Sequence, residues 1–216
     1  MKIGVFDSGI GGLSVVQAIE QALPDYEIIF KNDHEHVPYG TRTPEEILGF
    51  VLPIFQEFID EGCKVIVVAC NTVSTTLAGE LKQRFSIPLI TMVPMVKPAA
   101  EQTTTGVIAV CATPTTLASP RYRELKEEFA KGITVLEPDC SDWAYMIEHS
   151  TIDGGKIAVH IHEVLKKKAD VIVLACTHYH WIEHEIKVLA AGKAKVLQPE
   201  NAIVKQLQRI LQSEAI

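Results

Sequence analysis

The 216-residue chain has a formal net charge of −7, and 47% of its residues are hydrophobic. The negative charge excludes a global attraction to nucleic acid or to an anionic membrane surface. No apolar run is long enough to cross a bilayer. Because of this and the negative charge, we expect neither a membrane nor a nucleic acid as a partner. The five cysteines are an odd number, which argues against a disulfide framework and favours the cytoplasm.

Short apolar stretches alternate with amphipathic patterns along the whole chain. In chain order, we predict strands at residues 2–6, 27–30, 65–69, 89–92, 106–111, 133–136, 171–175 and 195–197. The predicted helices span residues 13–23, 43–60, 73–85, 119–130, 141–148, 155–168, 183–190 and 202–211. Such alternation is typical of parallel sheets with helices on both faces.

Similar strand and turn patterns recur in the two halves of the sequence and suggest an internal duplication. We therefore predict an α/β protein with two similar doubly wound parallel-sheet domains related by pseudo-twofold symmetry. The first domain is predicted to comprise residues 1–93 and 199–216, and the second residues 94–198. Ligands of such sheets bind outside the carboxyl ends of the strands, so the active site is expected in the cleft between the domains.

Two cysteines end matching strands, one in each half. Cys70 follows the strand in VIVVACNT (65–72), and Cys176 follows the strand in VIVLACTH (171–178). Thiolate is the reactive form of cysteine, and the start of a helix lowers the pKa of a thiol. Two thiols presented in this way can act on one small molecule from opposite sides. A buried cysteine is otherwise a small hydrophobic residue, and for these two the sequence alone leaves both interpretations open.

The turn after the first strand, DSGIGG (7–12), is rich in glycine. It matches neither GxxxxGK[ST] nor GxGxxG, so nucleotide binding has little support. Asp7 and Ser8 lie at the strand end, where a ligand can meet them, although Asp7 equally fits a helix cap. Thr113 has the corresponding position in the second half.

The other cysteines and the histidines have simpler interpretations. Cys63, Cys111 and Cys140 are interpreted as small core residues. A zinc site with Cys176 is conceivable, but no second ligand pair is evident, so no metal is expected. The histidines considered for that site are His178, His180 and His184, while His34 and His36 are predicted to be solvated.

Four motifs together closely resemble the glutamate racemases of the aspartate/glutamate racemase superfamily. They are DSGIGGLSV (7–15), VPYG (37–40), ACNT (69–72) and ACTHY (175–179). They stand in the family's order, and the similarity covers nearly the whole chain. The histidine after Cys176-Thr177 favours glutamate over aspartate as the substrate.

The resemblance implies racemisation of L-glutamate to D-glutamate by a two-base mechanism that needs no cofactor. Cys70 and Cys176 match the two catalytic cysteines, Asp7 and His178 the residues that assist them, and Glu148 another acid near the site. The predicted substrate-binding residues are Asp7, Ser8, Tyr39, Gly40, Asn71, Thr72, Thr113, Thr177 and His178. The resemblance also implies a homodimer whose product supplies peptidoglycan synthesis.

The chain departs from the family pattern at several places. His180 stands where proline usually follows ACTHY, residues 33–36 read DHEH in place of a DTAR-like segment, and residues 198–200 read QPE in place of DSG. No catalytic residue is lost. Two alternatives remain, another enzyme of the superfamily (a racemase of aspartate or a hydantoin, or a decarboxylase) and a non-catalytic binding protein that kept the fold.

Overall fold

The computed structural model describes residues 1–213, which form eight strands and eleven α-helices. The strands are β1 Lys2–Asp7, β2 Glu27–Asn32, β3 Cys63–Val68, β4 Leu89–Thr91, β5 Val107–Ala112, β6 Thr134–Leu136, β7 Val171–Ala175 and β8 Lys195–Leu197. The helices are α1 Leu13–Ala22, α2 Pro44–Asp60, α3 Asn71–Thr76, α4 Ala78–Arg84, α5 Val96–Gln102, α6 Pro114–Ala118, α7 Pro120–Phe129, α8 Trp143–Glu148, α9 Gly154–Lys166, α10 Glu183–Ala190 and α11 Glu200–Ser213. Short 3-10 helices cover Ile10–Gly12, Tyr39–Thr41 and Thr177–Ile182.

The strands build two four-stranded parallel sheets with the same internal order. The first sheet runs β2-β1-β3-β4 and the second β6-β5-β7-β8. This matching order confirms the predicted fold class of two similar doubly wound α/β sheets. It also brings the carboxyl ends of β1 and β3, and of β5 and β7, to equivalent edges.

Residue alternation along the central strands explains why helices cover both faces. In β3, Val65 and Val67 pack with α1 and α11, whereas Ile66 and Val68 pack with α2 on the opposite face. Strand β7 divides its side chains between two core clusters in the same way. Because successive side chains point to opposite faces, strands buried on both sides read as continuous apolar runs.

Helix α11 returns to the first sheet. Its Ile203 and Leu207 are buried among Val15 and Ile19 of α1 and the β1 and β3 side chains. The division into residues 1–93 with 199–216 and residues 94–198 stays a prediction. Residues 214–216 of that division lie outside the described residues.

Helix α2 begins as the sequence indicates. Thr43 accepts a hydrogen bond from the N–H of Glu46, whose carboxylate in turn accepts from Thr43, with Pro44 at the first helical position. This capping box satisfies backbone donors that a helix start leaves free. Among the helices of residues 1–213, none combines the length and apolar character needed to cross a membrane.

The prediction of one continuous helix over residues 73–85 is wrong, because the structure has two helices here, α3 and α4, that are separated at Leu77. The hydroxyls of Thr75 and Thr76 donate to backbone carbonyls in α3, and β-branched residues of this kind favour a regular helix less. The sequence also did not predict α5 or α6. For α6 the signal was available, since Thr113 caps it and Pro114 occupies its first position.

We expect Leu207→Ala to lower the free energy of unfolding by about 2–5 kcal/mol, because it leaves a cavity where α11 meets the first sheet. Lys205→Ala, at an exposed position of the same helix, is the control and should have little effect. Urea unfolding of the two variants measures the difference. An unchanged midpoint for Leu207→Ala would contradict the docking of α11 on this sheet.

Candidate active site

One cavity lies between the two sheets, at the carboxyl ends of their central strands. Both Cys70 and Cys176 line it, from equivalent strand ends. The other predicted residues that line it are Ser8, Tyr39, Gly40, Asn71, Thr72, Thr113, Thr177 and His178. Asp7 and Glu148 do not belong to the lining and contact it from behind. Three further lining residues were not among the predicted site residues, Ala144 and the Val37 and Pro38 of the VPYG motif.

The cavity is nearly closed, with a volume of about 10 Å³. A single water molecule needs roughly this much space, on the order of 10–15 Å³. An amino acid is far larger than a water molecule. We therefore expect the two halves to separate when a substrate of that size enters.

Glycines of the first turn allow this close approach. A Cβ atom built on Gly11 would lie 2.5 Å from the backbone N of His178, and one on Gly9 would lie 2.5 Å from Oε2 of Glu148. Across the cavity, a Cβ on Gly40 would lie 2.6 Å from Cβ of Thr113. Contacts this short do not occur for real side chains, so the two halves can meet here only because these positions lack one.

The Cys70 thiol is buried between the first turn and α3. Its Sγ donates to Oγ of Ser8 at 3.6 Å, and Cys70 is the N-cap residue of α3. Burial and the charge of Asp7 raise the pKa of Cys70 to about 12, against the opposing effects of the Val73 N–H and Ser8. The sequence-based expectation of a lowered thiol pKa is therefore wrong for Cys70, because desolvation outweighs the helix start.

Asp7 is fully buried and joins the two halves. Its Oδ2 accepts from the N–H groups of Gly9 at 3.3 Å and Gly12 at 2.9 Å, while its Oδ1 accepts from the hydroxyl of Thr177 at 3.1 Å. Burial raises the pKa of Asp7, although the charge of His178 and these hydrogen bonds oppose the rise. Asp7 thus holds the turn that precedes α1 and places a negative charge near Cys70.

Cys176 has a different neighbour, an imidazole backed by a carboxylate. Sγ of Cys176 lies 3.9 Å from Nδ1 of His178, and Nε2 of His178 lies 2.6 Å from Oε2 of Glu148. Burial alone would lower the pKa of His178, but hydrogen bonds to Cys176 and Glu148 raise it to about 10. A protonated imidazole next to a sulfur favours the thiolate.

Glu148 accepts hydrogen bonds from three segments. Its Oε2 accepts from the N–H of Ile10 at 3.1 Å as well as from His178, and its Oε1 lies 3.0 Å from Nδ1 of His34. Burial raises the pKa of Glu148, yet the hydrogen bonds from His178, Ile10 and His34 outweigh it and hold the pKa at about 2. The prediction that His34 is simply solvated is therefore incomplete, because one face of its ring contacts this buried carboxylate.

Polar side chains on the cavity wall remain available to a ligand. Among residues 1–213, neither the Nδ2 nor the Oδ1 of the buried Asn71 has a hydrogen-bond partner. Buried amides are normally paired, so an unpaired one in a cavity wall indicates a polar ligand. The hydroxyls of Thr72 and Thr113 lie 3.0 Å apart beside it.

Tyr39 is fixed on the same wall. Its hydroxyl donates to Oδ2 of Asp33 at 2.6 Å, and Asp33 also contacts Nδ1 of His36. Burial and the Asp33 carboxylate raise the pKa of Tyr39 above its usual value, so it remains a neutral phenol. His36 is therefore not merely solvated, as predicted, but helps to hold the loop that carries Tyr39.

The described part of the chain contains no cluster of three or more histidine, cysteine or acidic side chains placed to hold a metal ion. The histidines that the sequence grouped have separate partners. His178 contacts Glu148, His180 contacts Oε1 of the buried Glu200 at 2.6 Å, and His184 is exposed. Oγ of Ser14, in α1, lies 3.1 Å from the same His180 nitrogen.

A family model described as Asp/Glu/Hydantoin racemase matches residues 3–207. The chain belongs to this racemase family. It is 36% identical over 214 residues to the glutamate racemase of Pseudomonas syringae pv. tomato, covering 97% of this chain and 78% of that protein.

Solved structures of glutamate racemases are similar to this chain over nearly its whole length. The structure of Escherichia coli glutamate racemase in complex with L-glutamate and the activator UDP-MurNAc-Ala matches with a TM-score of 0.92 at 28% identity, covering 100% of this chain and 84% of that one. Glutamate racemase from Francisella tularensis in complex with D-glutamate matches with a TM-score of 0.80 at 29% identity, covering 98% and 81%.

We expect Gly11→Ala to lower the stability of this racemase family member by about 1–3 kcal/mol, the usual cost of overpacking, because the added methyl group forces the first turn away from His178. The control is Gly79→Ala in α4, where an added Cβ has no neighbour within 4 Å. That change should instead stabilise the protein by up to about 1 kcal/mol through helix propensity. Equilibrium urea unfolding measures both, and equal effects would refute the close contact at Gly11.

Proposed function

We propose that this protein is a glutamate racemase that interconverts L- and D-glutamate without a cofactor. The observation that carries the proposal is the presence of two thiols, Cys70 and Cys176, in the lining of one closed cavity at equivalent strand ends. The similarity to glutamate racemases along nearly the whole chain supports glutamate as the substrate.

The proposed reaction transfers two protons on opposite faces of Cα. In the direction from L- to D-glutamate, the Cys176 thiolate removes the α-proton and the electron pair of the C–H bond remains on Cα. The Cys70 thiol then gives its proton to the other face, so Cys176 ends as a thiol and Cys70 as a thiolate. Two bases are needed because a single base would return the proton to the face from which it came.

The neighbours of the two thiols suit the roles that we propose for them. A pKa of about 12 keeps Cys70 as a thiol near neutral pH, ready to donate. Sγ of Cys176 lies beside His178, whose pKa is raised by its hydrogen bonds to Cys176 and Glu148, so a positively charged ring is available to pair with the sulfur when it carries the negative charge. For the reverse direction, the Asp7 charge makes the Cys70 thiolate a strong base.

The cavity must also stabilise negative charge on Cα. None of the residues described as its lining is a lysine or arginine. We propose that the α-carboxylate of the substrate is held by neutral donors, with the unpaired Asn71 amide and the Thr72 hydroxyl as the principal ones. Such donors are fixed before reaction and act in a nearly dry cavity, where preorganised dipoles are most effective.

Circular dichroism of L- and D-glutamate and of L- and D-aspartate incubated with the protein tests the proposal. We expect loss of the optical signal from both glutamate enantiomers and little change with aspartate. Racemisation of aspartate instead would assign another substrate within the family. No change with any of the four would favour a binding protein that kept the fold.

We predict that Cys70→Ala and Cys176→Ala each lower racemisation by at least about 10²- to 10⁴-fold, the usual contribution of a general acid or base. Each variant keeps one base and should still eliminate chloride from one enantiomer of 3-chloroglutamate, with Cys176 acting on the L-form and Cys70 on the D-form. Elimination distinguishes the two thiols, because each thiol acts on one enantiomer. Racemisation does not, because the two enantiomers have equal free energies and kcat/KM must therefore be equal in both directions.

The control for these variants is Cys63→Ala, because Cys63 is buried at the start of β3 and does not line the cavity. It should racemise at close to the wild-type rate. Near wild-type racemisation by Cys176→Ala would contradict the two-base assignment.

We also propose, on the resemblance alone, that the protein acts in the cytoplasm as a homodimer and that its D-glutamate supplies peptidoglycan synthesis. Light scattering of the purified protein tests the dimer. Restoration of growth to a D-glutamate-requiring bacterium tests the metabolic role.

A further inference from the structure

A row of three side chains connects the surface of the protein to Cys176. His34 contacts Oε1 of Glu148, Oε2 of Glu148 contacts His178, and Nδ1 of His178 faces the sulfur of Cys176. The side chain of His34 is 71% exposed, whereas those of Glu148 and His178 are 1% and 2% exposed. His34 is therefore the outer end of a row that is otherwise buried.

The row crosses from one half of the protein to the other. His34 lies in the loop after β2 of the first sheet, while Glu148 ends α8 in the part of the chain that builds the second sheet. Their contact consequently exists only while the two halves are together. Separation of the halves removes two of the donors that hold the Glu148 carboxylate, His34 and the N–H of Ile10.

The chemistry of the groups fixes their proton positions. An ionised carboxylate only accepts hydrogen bonds, so His34 presents N–H at Nδ1 and His178 presents N–H at Nε2 to Glu148. The N–H of Ile10 occupies the same Oε2 as His178. Of the three donors, His34 alone contacts Oε1, so it controls rotation of the carboxylate about its last bond.

Exposed ion pairs usually contribute little, because water competes for both partners. Here only one partner is exposed, and the other is a buried carboxylate that water reaches poorly. Hydrogen bonds to such a charged, desolvated group are stronger than those between two exposed groups. The contact is thus of the kind that orients its partner.

We propose that His34 is a positioning residue for Cys176, acting through Glu148 and His178 when the two halves close on the substrate. This proposal rests on the proposed function. When the two halves close, His34 fixes the carboxylate of Glu148, and this carboxylate fixes the ring of His178. The ring then keeps its Nδ1 directed at the sulfur of Cys176, which removes or returns the proton. His34 touches neither the substrate nor the thiol. Cys70, whose Sγ donates to Oγ of Ser8, has no hydrogen bond to this row within residues 1–213 and should not depend on it.

Single-cysteine variants separate the two thiols and test this directly. In each of them, the remaining thiolate takes the α-proton of 3-chloroglutamate, the C–H electron pair forms the Cα=Cβ bond, and chloride leaves with the electron pair of the C–Cl bond. His34→Ala is added to Cys70→Ala, in which only Cys176 works, and to Cys176→Ala, in which only Cys70 works. Chloride release is measured for each enantiomer, giving kcat and KM separately.

We expect His34→Ala to lower kcat for chloride release from the L-form by about 3- to 10-fold in the Cys70→Ala background, the size of effect of one hydrogen bond to a charged group. In the Cys176→Ala background, release from the D-form should be unchanged. His34→Asn, whose amide N–H takes the position of Nδ1, should restore most of the loss. The control His162→Ala removes an exposed histidine of α9 and should change neither background.

Three results would overturn the proposal. Equal losses in both backgrounds would mean that His34 only supports the structure, and no loss in either would mean that its contact with Glu148 is not used. If neither single-cysteine variant released chloride from any enantiomer, with His162 intact or replaced, the two-base assignment would fail and the role of His34 with it, whereas the dichroism assay tests racemisation of glutamate separately.

Discussion

The contact between the DSGIGG turn and the segment after β7 is the constraint on which the site depends. Gly9 and Gly11 let the backbone of one half touch the other, and Asp7 then reaches across to Thr177. This contact narrows the cavity and places the Asp7 carboxylate near Cys70 of its own half and in contact with Thr177 of the other. Electrostatic effects that would be weak in water become strong in such a closed space. The raised pKa of Cys70 is a consequence of this burial.

The two halves share a strand order but give their cysteines different surroundings. Equivalent strands end in Cys70 and Cys176, yet one thiol meets a carboxylate and the other an imidazole. Symmetry of the backbone brings two thiols to one cavity. In the proposed reaction, the different neighbouring side chains let one thiol act first as an acid and the other as a base. A fully symmetric pair would give both thiols the same pKa and leave the direction of the first proton transfer unspecified.

The sequence predicted the fold and most of the cavity lining because both depend on local patterns. Apolar runs at β3 and β7 predicted buried parallel strands, and residues directly after them had to meet at the sheet edge. The break at Leu77 was missed although its signal is local, in the hydroxyls of Thr75 and Thr76 that donate to carbonyls of the same helix. The contact of His34 with Glu148 was missed because it joins segments far apart in the sequence. The raised pKa of Cys70 was missed for a related reason, since burial by the opposite half cannot be inferred from the residues flanking a cysteine.

His180 and Glu200 are separated by twenty positions in the sequence, and both depart from the motifs of the resembling family. They form one buried pair, in which burial disfavours the Glu200 carboxylate but His180 holds its pKa below the usual range. Exchange of either residue alone would leave a polar group buried without its partner, which is strongly destabilising, whereas replacement of both can be nearly neutral. The two departures therefore form one physical unit, and a chimera with a relative has to take both positions from the same parent.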